Sequence, residues 1–196
     1  MSDALSRYPR TVTYGDSEVL FRLMTPDDES VVLAFARTLP KHDLLFLRRD
    51  ITQPKVLSAW ARELDAGSII SLLAIQGDEL LGCSAVVRDT HSWSPHVGEL
   101  RVLLSPELRE KGLGRALIQE SFIVALAQGL EKLTAQMTAD QQAAIGVFEG
   151  MGFRAEALLR DHVRDDQGQK HDIVILSHDV AEFQAKMEQY GLTNAF

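Results

Sequence analysis

Apolar positions along this chain come in two patterns. Some form short continuous or alternating runs, as strands do. Others recur every three to four residues, as one face of a helix does. The run EVLFRLM (Glu18–Met24) reads as the first strand. A helix follows from Thr25, with Thr25 as N-cap, Pro26 in the first turn and Val31, Phe35 and Leu39 spaced along one face. A second helix spans DITQPKVLSAWARELDAG, capped by Asp50 or Thr52 and ended by Gly67. SIISLLAIQ and ELLGCSAVVRD are strands joined through GDE, a hairpin signal. After a loop over Thr90–His96, GELRVLL is the next strand. GRALIQESFIVALAQG is a helix, with Leu113, Leu117, Val124 and Ala127 near one stripe. EKLTAQM is a short strand, and DQQAAIGVFEGMGF is a helix stopping at Gly150 or Gly152. RAEALLRDHVRDD and KHDIVILSHDV form a last hairpin through DQG.

The order is therefore β-α-α-β-β-β-α-β-α-β-β. Three successive strands precede the third helix, which excludes simple βαβ winding. The expected architecture is an α/β (α+β) domain with a mixed sheet and helices on both faces. Residues 1–17 are polar and read as an N-terminal arm, residues 18–178 as the domain, and residues 179–196 as a C-terminal helix or tail.

Composition narrows the function classes. The chain has 196 residues and a formal net charge of −8, which argues against nucleic acid as a partner. No apolar run approaches the roughly 20 residues that span a bilayer, so no membrane partner is expected. The single cysteine, Cys83, has no partner for a disulfide or a zinc pair and reads as a buried core thiol. A reducing, cytoplasmic setting and no metal are the expectations.

The candidate chemistry sits in SPELREKGLGRAL, Ser105–Leu117, a basic glycine turn between a strand and a helix. A triphosphate loop needs G-x-x-x-x-G-K-[ST], which Gly112 and Gly114 do not fit. A dinucleotide fingerprint needs a third glycine where Leu117 stands. The remaining pattern is [RQ]-x-x-G-x-[GA], met by Arg109, Glu110, Lys111, Gly112, Leu113 and Gly114. Glycines let backbone N–H groups approach an anion, and the helix N-terminus adds its positive dipole end. Arg109, Lys111 and Arg115 add local positive charge. Alone, the turn serves equally as a plain strand-to-helix connection with solvated charges.

The loop resembles the acyl-coenzyme A pyrophosphate loop of the GNAT N-acetyltransferase superfamily. Downstream, QQAAIGVFEGMGF resembles that superfamily's N-x-x-A-I-x-L-Y-x-x-x-G-F, with Gln141, Ala144, Ile145, Phe148, Gly152 and Phe153 in the matching places. The order of elements follows the same layout from about residue 18 to 178. The resemblance implies a mostly antiparallel mixed sheet and acetyl transfer from acetyl-CoA, as co-substrate, to a primary amine. The acceptor would be a protein lysine or a small amine, and homodimers are common among such proteins.

GELRVLL is similar to the E-[FL]-x-V-L-[VL] stretch of bacterial protein lysine acetyltransferases, whose glutamate is the general base. That resemblance points to Glu99 as base; the bland alternative is that Glu99 pairs with Arg101 on their shared strand face. It also implies that Val102, Leu103 and Leu104 offer backbone contacts to pantetheine, with Leu103 or Leu104 donating to the oxyanion. Gln141 and Phe148 would contact the cofactor, but they replace the usual asparagine and tyrosine, and Phe148 has no proton for the leaving thiolate. His96 can assist Glu99 through water. Asp43 and Asp50 are candidate cation receivers, His162 and His171 flank the acceptor side, and Trp93 either walls the acceptor site or caps the core. The competing reading is a catalytically quiet acyl-CoA-binding sensor or interaction domain.

Overall fold

The computed structural model describes residues 3–14, 17–109 and 111–180. The C-terminal segment expected as a helix or tail falls, beyond Val180, outside them, as does Glu110. The strands are β1 (Arg10–Tyr14), β2 (Ser17–Leu23), β3 (Ile69–Gln76), β4 (Glu79–Arg88), β5 (Val97–Leu104), β6 (Lys132–Thr138), β7 (Arg154–Arg164) and β8 (Lys170–Asp179). The helices are α1 (Glu29–Thr38), α2 (Pro54–Asp65), α3 (Leu113–Ala127) and α4 (Gln142–Gly150). The described strands form one sheet in the order β1-β2-β3-β4-β5-β6-β8-β7. The β5–β6 pair is parallel and the others are antiparallel, giving the expected mixed, mostly antiparallel sheet.

Central strands have both faces covered, which is why β3 and β4 read as nearly continuous apolar runs. One face packs Phe21, Leu72 and Leu100 against α3 and α4 through Leu117, Ile118 and Phe148. The other packs Leu73, Cys83 and Leu103 against α1 and α2 through Val32, Phe35 and Leu57. In α1 the inward face is Val32, Phe35, Ala36 and Leu39, while Val31 is exposed. Phe35 and Leu39 are thus buried as expected, but Val32 takes the place expected for Val31, because the face follows the i, i+3, i+4, i+7 set that starts at Val32.

Two helix starts differ in detail. Thr25 caps a 3-10 turn, Pro26–Asp28, from which α1 continues. In α2 the N-cap is Gln53, because Pro54 sits at the first helical position. Asp50 instead accepts from the Thr52 amide at 3.0 Å and the Thr52 hydroxyl at 2.7 Å, ordering the preceding turn.

The segment expected as an arm is built into the domain. β1 pairs with β2, and Leu5 and Tyr8 are buried. The Tyr8 hydroxyl donates to Glu120 of α3 at 2.6 Å, and Arg10 lies 3.3 Å from the same carboxylate. Burial, then the Glu120 hydrogen bond and charge, push the Tyr8 phenol well above its ordinary value.

Asp28 anchors α1 to the sheet. Its carboxylate accepts two bonds from Arg22 of β2, at 2.6 and 2.7 Å, and one from the Thr25 amide at 2.8 Å. Arg22, ahead of Thr25, holds the Asp28 carboxyl below its usual value against the opposing effect of burial. Asp28→Asn is expected to cost roughly 2 kcal/mol at pH 7, a hydrogen-bonded charge being worth that much. Because the folded value is lowered, this stabilisation is full above about pH 4 and lost as pH falls through the folded value. Urea denaturation of both proteins at pH 7 and at low pH checks it: the gap should close in acid, and an unchanged gap would disprove the assignment.

Candidate active site

The site begins where β5 and β6 part. Among the described residues their ladder covers only Val97–Glu99 against Lys132–Thr134. Beyond it, β5 stays paired with β4 through Leu104, while β6 turns to β8. A wedge therefore opens between β5 and β6, with Glu99 at its vertex.

Strand parity shows which backbone groups face the wedge. The Ser105 amide donates to Leu81 of β4 at 3.0 Å, so odd positions of β5 turn their main chain to β4. Leu100, Val102 and Leu104 turn theirs to the wedge. Consistently, the Gly98 carbonyl on the β6 side accepts from the Thr134 hydroxyl at 3.3 Å. Leu103 is thus not on the wedge edge: its backbone faces β4 and its side chain enters the α1/α2 core. Leu104, not Leu103, directs its N–H into the wedge.

At the open end, β5 runs through the 3-10 turn Pro106–Leu108 into α3. Gly112, the N-cap of α3, has φ 87° and ψ −12°, a left-handed conformation that disfavours any side chain. Glycine has no side chain with which to cap this N-terminus, and the first N–H groups of a helix have no intrahelical partner. Arg109, Lys111 and Arg115 are exposed around it, while Leu113 is buried as an anchor.

A 3-10 turn, Lys41–Leu44, lies across this open end. Asp43 pairs with Arg109 beyond β5 and accepts from Gln141 Nε2 beyond β6 at 3.4 Å. Gln141 Oε1 also accepts from the Thr138 amide at 3.2 Å. Lys41 reaches Asp166 in the β7–β8 turn at 2.7 Å. The same turn brings His42 Nε2 to 3.0 Å from Asp140 Oδ2, with its ring edge-on to His171 at 5.1 Å. His42, Asp140 and His171 each offer a ligand atom within 4.8 Å of the others, an arrangement that can hold a metal ion. Hydrogen bonds already account for it, since His171 Nε2 has its own partner in Asp165 at 2.9 Å. Nothing in the sequence spacing signals this contact between the α1–α2 connection, the β6–α4 turn and β8.

At the vertex, Glu99 is half-buried and ion-paired. Its Oε1 accepts from Arg101 Nε at 2.8 Å and its Oε2 from Arg101 Nη2 at 3.2 Å, with Arg48 Nη2 3.8 Å from Oε2. Beside this pair, a cavity of about 210 Å³ opens between the sheet and the α2 side. Its floor is Cys83, Ala85 and Leu103, and its wall is Ile51, Val56 and Trp60. Burial pushes the Cys83 thiol up to about 12, so it stays protonated and unreactive. Trp60, which donates to Ser71 Oγ at 3.0 Å, had only its place on the apolar face of a helix to mark it.

Other expected residues stand apart. Trp93 is fully exposed and caps nothing. Phe148 is 7 % exposed, in the core on the α3 side, edge-on to Phe153 at 5.0 Å. His96 and His162 are exposed.

Comparison with known proteins agrees with this geometry. The family model of the acetyltransferase (GNAT) family matches residues 33–153. No curated protein matches the sequence. Among solved structures, the chain is similar to the GNAT-family acetyltransferase from Streptococcus pneumoniae. That match has 21% identity and TM-score 0.71, covering 82% of this chain and 99% of the other. It is similar to ribosomal-protein-alanine N-acetyltransferase from Brucella melitensis, with 20% identity, TM-score 0.71 and coverage of 82% and 99%. It also resembles a putative acetyltransferase from Salmonella typhimurium seen with its cofactor acetyl-CoA, with 16% identity, TM-score 0.71 and coverage of 83% and 94%. With its motif-bearing wedge and a family match over residues 33–153, the chain belongs to the acetyltransferase (GNAT) family.

Proposed function

We propose that this protein moves the acetyl group of acetyl-CoA to a primary amine by direct attack, with Glu99 as general base. The observation that carries this reading is the wedge itself. It opens at Glu99, runs along about 16 Å of β5 to Leu104 at 3.3 Å per residue, and leads through the 3-10 turn to the N-terminus of α3. In this reading the pyrophosphate lies on the N–H groups of Gly112, Leu113, Gly114 and Arg115, with Arg109 and Lys111 adding charge. Glu110 belongs to the same loop. Pyrophosphate competes with Asp43 for Arg109. The pantetheine arm adds to the free edge of β5 at Val102 and Leu104, much as an extended peptide adds to a sheet edge. Gln141 borders the arm, and Phe148 supports it from the core.

The amine nitrogen attacks the thioester carbon, the C–S bond breaks and coenzyme A leaves as thiolate. The amine proton passes to Glu99, directly or through water, and the Leu104 N–H steadies the oxyanion. Phe148 gives no proton, so the thiolate leaves unassisted or takes one from water. The acceptor enters through the cavity beside Glu99, whose volume suits a small amine or one lysine side chain. The lone buried Cys83 suits a cytoplasmic enzyme.

A second reading, a quiet acyl-CoA-binding domain, draws on the pairing of both Glu99 oxygens with Arg101. Thiol release from acetyl-CoA with amino acids, polyamines, peptides and proteins separates the two. Acceptor-dependent release is expected. Tight acetyl-CoA binding with no release above hydrolysis would establish the quiet domain.

A further inference from the structure

The mouth of the cavity beside Glu99 is positively charged on a chain whose formal net charge is −8. Arg48, Arg49 and Arg101 line it, with Glu63 as the carboxylate among the lining residues. Glu63 lies 3.3 Å from Arg49. Glu99 adjoins Arg101 and Arg48, so three guanidiniums face two carboxylates. An acceptor whose only charge is an ammonium is poorly matched to such a mouth, because the net positive charge of these five groups repels it.

The pairing at Glu99 adds a second observation. Both its oxygens are engaged by Arg101, whose side chain is 22% exposed. Arg48 stands behind at 3.8 Å, with its side chain 73% exposed and its fork open to solvent. A base held in this way must be released before it can take a proton. A planar guanidinium fork pairs with any carboxylate of suitable geometry, so an incoming one can take Glu99's place.

We infer that the acceptor bears a carboxylate as well as its amine, and that Arg48 and Arg101 receive this carboxylate in exchange for Glu99. The exchange leaves Glu99 facing the amine only when the correct acceptor is present. The apolar floor and wall, with Trp60, Val56 and Leu103, take an apolar side chain carried beside the two groups. The acceptor class is then an apolar amino acid or a close analogue. Arg48 and Arg101 act in specificity and in positioning Glu99. This inference rests on the acetyl-transfer reading for its turnover arm but not for its binding arm.

The experiment uses matched pairs that differ only in the carboxylate: phenylalanine against 2-phenylethylamine, and leucine against 3-methylbutylamine. Thiol release is measured with the full chain and acetyl-CoA. In parallel, calorimetry measures binding of N-acetylphenylalanine and N-acetyl-2-phenylethylamine, which needs no turnover. The acids are expected to exceed the amines by at least about tenfold in kcat/KM, since a site built for a polar group rejects the analogue lacking it. Arg48→Gln, at an exposed position, is expected to bring that ratio within about threefold, its fork being half of the receiving pair. Amines that equal or outperform the acids would overturn the inference and leave acetyl transfer standing. If no acceptor releases thiol, calorimetry decides. Preference for the acid, lost in Arg48→Gln, would keep the carboxylate subsite and overturn acetyl transfer. No preference would overturn the subsite.

Discussion

Glu99→Gln is expected to lower turnover about a hundredfold while leaving acetyl-CoA affinity nearly intact, in the range for losing a general base. Glutamine keeps the size and one acceptor oxygen of glutamate, so Arg101 retains a hydrogen bond and β5 keeps its place. What it loses is the capacity to take a proton. Coenzyme A contacts lie further along β5 and at α3 in the proposed pose, which is why affinity should be spared. Steady-state thiol release gives kcat, and calorimetry with coenzyme A gives Kd. Turnover within twofold of wild type would remove Glu99 from the mechanism. A fall in affinity as large as the fall in turnover would show instead that the Glu99–Arg101 pair is structural support for the wedge.

Gly114→Val is expected to weaken coenzyme A binding about 30-fold, the equivalent of roughly 2 kcal/mol and of one lost charge-assisted hydrogen bond. The position suits the test because the free protein has room there. A Cβ built on Gly114 meets Leu104 Cδ2 at 3.7 Å, an ordinary contact. Replacing glycine within a helix also removes a propensity penalty of about 1 kcal/mol for alanine, less for valine. Gly112 is a poorer probe, since its φ of 87° would strain any side chain whatever binds nearby. Alanine is itself allowed at this place in the loop pattern, so Gly114→Ala should stay within about threefold of wild type, a methyl costing little backbone approach. The β-branched valine is what crowds an anion off the backbone. Calorimetry with coenzyme A reads the affinity, and circular dichroism checks that the fold is kept. Wild-type affinity in Gly114→Val would make the turn a simple strand-to-helix connection.

Much of this was legible in the chain itself. The runs that became β2–β8 and α1–α4 were readable because each element's periodicity reports its own burial, a local property. The glycine turn was readable because Gly112 is needed by the backbone, whatever lies opposite it. β1 was missed, since RTVTY is short and polar and pairs along the sheet edge. On α1, Phe35 and Leu39 were legible but Val31 stood in for Val32, as the two are equally apolar and only the packing tells them apart.

What the tertiary structure decided are the contacts between distant segments. Parity on β5 put Glu99 and Arg101 on one face, but whether they touch depends on rotamers and on Arg48, about fifty residues upstream. The order β6-β8-β7 places the last hairpin inside out relative to the chain, and separately the β6-side edge of β5 is left without a strand beyond Glu99 among the described residues. Asp43 bridging Arg109 and Gln141, and Trp60 facing Leu103 across the cavity, follow from the same packing. Sequence alone determined the elements other than β1, the glycine turn and the family. The structure determined the wedge, the paired state of Glu99 and the charged mouth beside it. Periodicity and turn chemistry act through neighbours within a few residues, whereas a site is made by side chains that only the folded chain brings together.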